Sequence, residues 1–217
     1  METINDFEIL IANNDHHKYV EELCALYEDS AKKRGTGIAK REAAYLLKNI
    51  DEQKAIIAIR KKDGDLAGFC YIETWQGKDY VVNSGLIVKE DYRKLGLAFK
   101  IKQFSFDYTT KKYPQAKIFG ITTSLPVMKM NSKLGYKPVT FSELTQDDTF
   151  WNGCKSCVNY DILTKTNKSN CLCTAMLYNP KDVKKKNYEI KKSVTKKVAA
   201  KQTGLKPKKQ INKKKTK

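Results

Sequence analysis

The segment between a short apolar run and a predicted helix carries the residues best suited to bind an anion. It reads Leu86-Ile87-Val88-Lys89-Glu90-Asp91-Tyr92-Arg93-Lys94-Leu95-Gly96-Leu97-Ala98. The first turn of a helix exposes unpaired N–H groups at the positive end of its dipole. Gly96 and the small Ala98 would let a pyrophosphate approach that backbone. Arg93-x-x-Gly96-x-Ala98 therefore predicts an anion-binding turn, with an ordinary surface turn as the alternative.

A second set of candidates lies on the strand predicted over residues 66–75. Alternation places Phe69, Tyr71, Glu73 and Trp75 on one face of that strand. A carboxyl group beside aromatic rings can have a raised pKa that suits a general base. Glu73 is therefore a candidate catalytic base, and a strand-end glutamate that faces water is the alternative.

Four of the six cysteines cluster near the end of the chain, as Cys154-x-x-Cys157 and Cys171-x-Cys173. Four thiolates on two turns are the ligand set of a structural zinc site. Buried thiols or a disulfide are the alternatives. Both histidines, His16 and His17, lie on the first predicted helix, so no catalytic metal is expected.

Hydrophobic periodicity predicts an α/β fold with a mixed sheet flanked by helices. The predicted order is helices over about 14–33 and 39–49, strands over 54–60, 66–75 and 80–88, a glycine-containing turn over 93–98 and then a helix to about 112, a strand over 117–123, a helix over 124–135 and a strand that starts over 136–141. The first three strands form an antiparallel meander. The strand–helix–strand order then makes strands 80–88 and 117–123 parallel neighbours.

From about residue 150 the pattern changes. Residues 159–163 and 172–178 are predicted to form a hairpin, with the cysteines at its open end. The domain prediction is a catalytic domain over 1–149, a cysteine-rich hairpin over 150–180 packed on it, and a disordered Lys-rich tail over 181–217. A fraying helix around 188–200 is the alternative for part of the tail.

The charge is concentrated in that tail. Of the net charge of +18, residues 181–217 carry +14, from 16 lysines against Asp182 and Glu189, and residues 1–180 carry only +4. The folded part is therefore not expected to be a nucleic-acid-binding domain. Weak, nonspecific nucleic-acid contact through the tail is one expectation, and a solubilising extension is the other.

The hydrophobic content of 41% is enough for a buried core. No apolar run is long enough to span a bilayer, and the first residues lack a secretory signal. A cytoplasmic protein with no membrane partner is expected. The two function classes are an enzyme and a non-enzymatic nucleic-acid-associated protein with a cysteine metal knuckle.

Residues 5–145 resemble the GNAT superfamily of acyl-coenzyme A N-acyltransferases, through Leu86-x-Val88, Arg93-x-x-Gly96-x-Ala98 and Gly135-Tyr136. The resemblance implies acyl-CoA, such as acetyl-CoA, as co-substrate and a substrate amine that attacks the thioester. It implies that the amide of Leu86 meets the thioester carbonyl. The residues that it implies around the CoA pyrophosphate are Val88, Arg93, Lys94, Gly96, Leu97 and Ala98.

Two positions depart from that family. A tyrosine that protonates the leaving thiolate in many relatives corresponds to Asn131, and an amide is a poor proton donor. The strand leading to Leu86 contains no carboxylate, which leaves Glu73 on the neighbouring strand as the nearest candidate base.

Residues 28–180 further resemble a bacterial subgroup that implies acylation of glutamate in arginine biosynthesis. Its marks lie in three segments, 30–41, 68–75 and 150–157. Arg34 and Arg41 flank a glycine-containing loop and could grip a carboxylate in bidentate fashion, and Tyr71 is grouped with them as a substrate contact. Solvated arginines are the alternative. The sequence leaves the oligomeric state open, with a homodimer as one option.

Overall fold

The structure, a computed structural model, describes residues 2–34 and 41–182. Its strands are β1 Phe7–Ile11, β2 Ala55–Arg60, β3 Leu66–Trp75, β4 Tyr80–Val88, β5 Lys117–Thr122, β6 Lys137–Val139 and β7 Thr174–Tyr178. Its α-helices are α1 Val20–Arg34, α2 Ala43–Asp51, α3 Leu97–Lys112, α4 Leu125–Lys133, α5 Asp148–Asn152 and α6 Tyr160–Lys165. The predicted α/β class, a mixed sheet flanked by helices, is confirmed.

All seven strands belong to one sheet, in the order β1-β2-β3-β4-β5-β7-β6. The meander of β2, β3 and β4 is antiparallel, as predicted. The chain then crosses through α3 to β5, which pairs with β4 in parallel. A parallel pair needs such a crossover, because its two strands must start at the same edge. The other neighbouring strands are antiparallel.

The sheet separates two hydrophobic layers. Phe69 and Tyr71 of β3 point to the face that α1 and α2 cover, where Leu23 and Leu46 are fully buried. Cys70 and Ile72, which alternate with them along β3, point to the other face and pack against α3. This alternation is the period-two pattern of a strand buried on both sides.

The edge strand β1 was not expected from the sequence. Its five residues pair antiparallel with β2, and Phe7 is buried. Short apolar runs of this length fit a strand and a buried helical turn equally well by periodicity. Its pairing with β2 therefore decides the conformation.

The predicted cysteine-rich hairpin is wrong. Residues 160–165 form α6 rather than a strand, and β7 lies between β5 and β6, hydrogen-bonded to both. A strand has only two edges, so β7 has none left for a hairpin partner. In α6, Leu163 follows Tyr160 by three residues and is buried against Trp151 and Phe141, which is a helical spacing.

The chain divides into two units, Met1–Asn179 and Pro180–Lys217. The fold given above is that of the first unit. Of the predicted Lys-rich tail, only Lys181 and Asp182 are among the described residues. The predicted disorder of residues 183–217 thus lies outside them. No helix in the described ranges has the length and apolar character needed to cross a membrane.

Candidate active site

The parallel ladder between β4 and β5 covers only the start of β4. It joins Tyr80, Val81 and Val82 to β5, whereas β4 continues to Val88. The pairing therefore stops at Val82 and leaves a gap at the carboxyl ends of two parallel strands. Ligands of open α/β sheets bind at such positions.

A β-bulge interrupts β4 beside this gap. Two residues of β4, Gly85 and Leu86, lie opposite the single residue Cys70 of β3. Gly85 has a φ of 63°, a left-handed conformation. A Cβ at Gly85 would lie only 2.2 Å from Cε1 of Tyr71. Both the backbone conformation and the packing therefore require glycine here.

The predicted anion-binding turn follows the end of β4. Gly96 is the N-cap of α3 with a φ of 82°, and Lys94 also has a left-handed φ of 67°. An added Cβ at Gly96 would meet no atom within 4 Å, so the backbone there is open to a ligand. The first N–H groups of α3, at Leu97 and Ala98, lack helical partners and lie at the positive end of the dipole.

Arg93 holds the start of this turn. Its Nε donates to the carbonyl of Val88 at 3.2 Å, and its Nη1 lies 3.9 Å from a carboxylate oxygen of Glu90. The Arg93 side chain remains 40% exposed, which leaves guanidinium surface for an anion. The structure places all the predicted pyrophosphate residues between the end of β4 and the first turn of α3: Val88, Arg93, Lys94, Gly96, Leu97 and Ala98. Their contact with CoA stays a prediction.

On the face of the sheet that α1 and α2 cover, one arginine, three tyrosines and one carboxylate come together. We call this group the phenol cluster: Tyr27, Arg41, Tyr45, Tyr71 and Glu73. The hydroxyl of Tyr45 donates to Oε1 of Glu73. The guanidinium of Arg41 lies 5.7 Å from the ring centroids of both Tyr27 and Tyr71, within the range of a cation–π contact. The predicted residues Arg41, Tyr71 and Glu73 are therefore brought together.

The phenols of the cluster stay protonated at neutral pH. Burial raises the pKa of Tyr71 to about 12. Burial, followed by the nearby charge of Glu73, raises the pKa of Tyr45 further. Tyr45 therefore acts as a hydrogen-bond donor to Glu73 rather than as a base. The Glu73 side chain is half-buried and accepts a hydrogen bond from Tyr45, so it is not simply a strand-end glutamate that faces water. Its role as catalytic base stays a prediction.

Asn131 lies on the other face of the sheet from Glu73. It is 1% exposed, and its Nδ2 lies 3.7 Å from Sδ of Met176 on β7. Its Oδ1 has no hydrogen-bond partner among the described residues. The structure does not bring Asn131 and Glu73 together, so the two could act only from opposite sides of a bound thioester.

The other predicted substrate arginine, Arg34, is the last residue of α1. Its side chain and residues 35–40 lie outside the described part of the chain. Its role in binding a carboxylate therefore stays a prediction.

The four clustered cysteines do converge. Cys154, Cys157, Cys171 and Cys173 line one pocket together with Trp151 and other side chains. Burial, and then the neighbouring thiols, raises the pKa of Cys154 to about 11 and that of Cys173 to about 12. These two groups are therefore thiols at neutral pH.

The zinc hypothesis is not supported. Within residues 2–34 and 41–182, no three His, Cys, Asp or Glu side chains are placed to hold a metal ion. Three of the thiols, those of Cys154, Cys171 and Cys173, instead pack partly buried against the hydrophobic cluster of Trp151, Phe141 and Leu163, which is closer to the alternative of buried thiols.

Sequence reasoning missed Tyr27 and Tyr45 as parts of the site. Tyr27 belongs to the predicted apolar stripe of the first helix, and Tyr45 directly precedes the buried Leu46 of α2. Helical spacing indicated only that Tyr27 faces the sheet. No local pattern shows which backbone or carboxylate group a phenol will meet across the interface.

Solved structures share this fold. N-acetylglutamate synthase from Neisseria gonorrhoeae, complexed with coenzyme A and N-acetyl-glutamate, aligns with a TM-score of 0.57 and 16% identity over 82% of this chain and 36% of that one. A GNAT-family acetyltransferase from Staphylococcus aureus aligns with a TM-score of 0.55 and 14% identity, covering 80% of this chain and 99% of that one. A mosquito protein named arylalkylamine N-acetyltransferase like 5b aligns with a TM-score of 0.56 and 14% identity, covering 80% of this chain and 99% of that one.

The chain therefore has the fold of the GNAT acyl-CoA N-acyltransferases. No protein-family model and no curated protein matches it by sequence. This chain spans about a third of the length of the N-acetylglutamate synthase chain. The similar structures include proteins named for different amines, so the fold by itself does not identify the acceptor.

Proposed function

We propose that this protein is an acyl-CoA-dependent N-acyltransferase that transfers an acetyl group to the amine of a small carboxylate-bearing acceptor, with glutamate as the first candidate. The observation that carries the proposal is the position of the open turn at Gly96 and the bulge at Gly85–Leu86. Both lie at the end of β4 where its pairing with β5 has stopped.

The donor binds along the end of β4. The turn from Arg93 to Ala98 holds the CoA pyrophosphate with backbone N–H groups and the helix dipole. The thioester then lies in the gap between β4 and β5. There its carbonyl oxygen accepts a hydrogen bond from the Leu86 amide. Such a donor stabilises the developing oxyanion by about 3 kcal/mol.

The acceptor approaches from the face of the phenol cluster. Arg41 grips its carboxylate, and the rings of Tyr27 and Tyr71 hold the guanidinium in place. The neutral amine attacks the thioester carbon, a C–N bond forms and the C–S bond breaks. The proton lost by the amine passes to Glu73, directly or through a water. The thiolate takes a proton from solvent, because Asn131 is a poor proton donor.

Glutamate as the acceptor draws its support from two features. One is the positive charge of Arg41, which lies against the rings of Tyr27 and Tyr71. The other is the structural likeness to a protein complexed with N-acetyl-glutamate. A place in arginine biosynthesis and a cytoplasmic location are further parts of the same proposal.

Isothermal titration calorimetry with CoA and a thiol-release assay test the proposal. The assay would use acetyl-CoA with a panel of amines, including glutamate, aspartate, glutamine and an arylalkylamine. We expect CoA binding and turnover with an amino acid that carries a side-chain carboxylate. Binding of CoA with turnover of other amines would retain the enzyme class and remove glutamate, and absence of CoA binding would overturn the function.

A further inference from the structure

The peptide unit between Gly85 and Leu86 is held from the side of α1. The hydroxyl of Tyr27 donates a hydrogen bond to the carbonyl oxygen of Gly85. Tyr27 is 2% exposed, and burial raises the pKa of its phenol well above the ordinary value. The hydroxyl therefore keeps its proton and remains a donor at any pH at which the protein would work.

This hydrogen bond sets the direction of the next amide. The carbonyl of Gly85 and the N–H of Leu86 belong to one planar trans peptide unit, so they point in opposite directions. A carbonyl turned towards α1 on one face requires an N–H turned away from α1. The side chain of Leu86 packs with the layer that α3 covers, on that other side of the sheet.

A regular strand would not present its amide this way, because its peptide groups lie in the sheet and pair with neighbouring strands. The bulge releases this peptide from the regular ladder, and Gly85 adopts a φ of 63°. Tyr71 closes the space on the α1 side, since a Cβ at Gly85 would lie 2.2 Å from its ring. The bulge thus permits the rotated peptide, and Tyr27 selects its direction.

We propose that Tyr27 is a positioning residue, which aims the Leu86 amide at the thioester carbonyl by holding the carbonyl of Gly85. This inference rests on the proposed function. It adds a link between the two substrates, because the Tyr27 ring also contacts Arg41, which is assigned to the acceptor carboxylate. One side chain thus contacts the acceptor-binding arginine and the peptide that activates the donor.

The test compares Tyr27→Phe with a matched control, Tyr19→Phe. The hydroxyl of Tyr19 donates to the carbonyl of Gly64 at 2.6 Å, in the turn between β2 and β3 and away from the gap. Each change removes one hydrogen bond from a tyrosine hydroxyl to a glycine carbonyl oxygen. Both variants should therefore lose stability to a similar extent, seen as similar shifts of the denaturant midpoint.

For Tyr27→Phe we expect kcat to fall about tenfold to a hundredfold, with the KM of acetyl-CoA and of the amine within about twofold of the parent. Tyr19→Phe should keep its kcat. An unchanged kcat in Tyr27→Phe would overturn the proposal, as would an equal loss in both variants.

A second measurement does not need turnover. In protein labelled with ¹⁵N-leucine, the Leu86 amide resonance should differ between the CoA complex and the acetyl-CoA complex. In Tyr27→Phe that difference should shrink or vanish. A full difference in both proteins would overturn the role of Tyr27 and leave the proposed function intact. No difference in the parent protein, despite CoA binding, would overturn both this inference and the assigned role of Leu86.

Discussion

The proposed identity of the acceptor depends on Arg41. If it binds the acceptor carboxylate, Arg41→Ala should raise the KM of the amine about 10- to 100-fold, since a charged hydrogen-bonded pair contributes about 1.5–3 kcal/mol. The KM of acetyl-CoA should hardly change. Steady-state kinetics with each substrate varied in turn makes the measurement.

Arg60→Ala is the control for that change. The guanidinium of Arg60 also lies over a tyrosine ring, 5.2 Å from the centroid of Tyr92, but it pairs with Glu2 and Asp63. We expect no change in the KM of the amine for this variant. Equal effects of Arg41→Ala on both substrates would assign Arg41 to the fold or to the donor.

Lys102 of α3 is a buried cation. It is 3% exposed, its Nζ lies 3.5 Å from the carbonyl oxygen of Asn83, and burial lowers its pKa to about 8. An unfolded lysine titrates near pH 10.4. The cost of burying the charge is therefore fully present below pH 8, and it disappears as the pH rises to about 10.4, because the folded state loses its proton first.

Lys102→Met should therefore stabilise the protein at pH 7, by up to about 3 kcal/mol. The advantage over the parent should shrink as the pH rises from 8 to 10. Denaturant unfolding of both proteins at pH 7 and 10 measures it. Burial raises the pKa of the Cys70 thiol to about 11, and the charge of Lys102 acts against that rise. Cys70 therefore stays a thiol up to pH 10 in both folded proteins, so its contribution to the difference is small. Lys100→Met, at an exposed position of the same helix, should show no such dependence.

At the scale of the element, the turn that begins α3 should carry the affinity for CoA. Gly96→Glu should abolish CoA binding, because a side chain and a negative charge would lie at the pyrophosphate position. The left-handed φ of 82° at Gly96 adds a backbone cost of about 1–2 kcal/mol. Calorimetry with CoA measures the binding, and circular dichroism checks the fold.

Gly77→Glu separates these two effects. Gly77 also has a left-handed φ, 62°, and open space around an added Cβ. It lies in the turn before the start of β4, however, whereas Gly96 follows the end of that strand. Gly77→Glu should lose similar stability and keep the CoA affinity of the parent. A folded Gly96→Glu protein that binds CoA normally would refute the assignment of the turn.

At the scale of the whole molecule, the charge and the proposed site belong to different parts of the chain. Truncation after Pro180 removes +14 of the net +18 and no residue assigned to the site. We expect unchanged kcat, and loss of any retention on immobilised DNA at low salt. The two readouts are the thiol-release assay and a salt elution profile. A loss of turnover would mean that residues 181–217 contribute to the site.

The sequence was sufficient to predict those features of the structure that depend only on residues close together along the chain. The turn from Arg93 to Ala98 could be predicted because a left-handed glycine and a helix N-terminus are local features. The shared face of Tyr71 and Glu73 could be predicted because a strand alternates with a period of two. Such local features were enough to predict the fold class and those parts of the candidate site that lie within one turn or on one strand.

The rest required the tertiary structure. The bulge at Gly85 exists only through its pairing with β3, and the phenol of Tyr27 meets that peptide only because α1 packs across the sheet. The predicted hairpin was wrong because β7 pairs on its two edges with β5 and β6, which both lie far from it in the sequence. Local patterns show which way a side chain or strand faces, but the partner across an interface is chosen by packing between segments far apart in the chain.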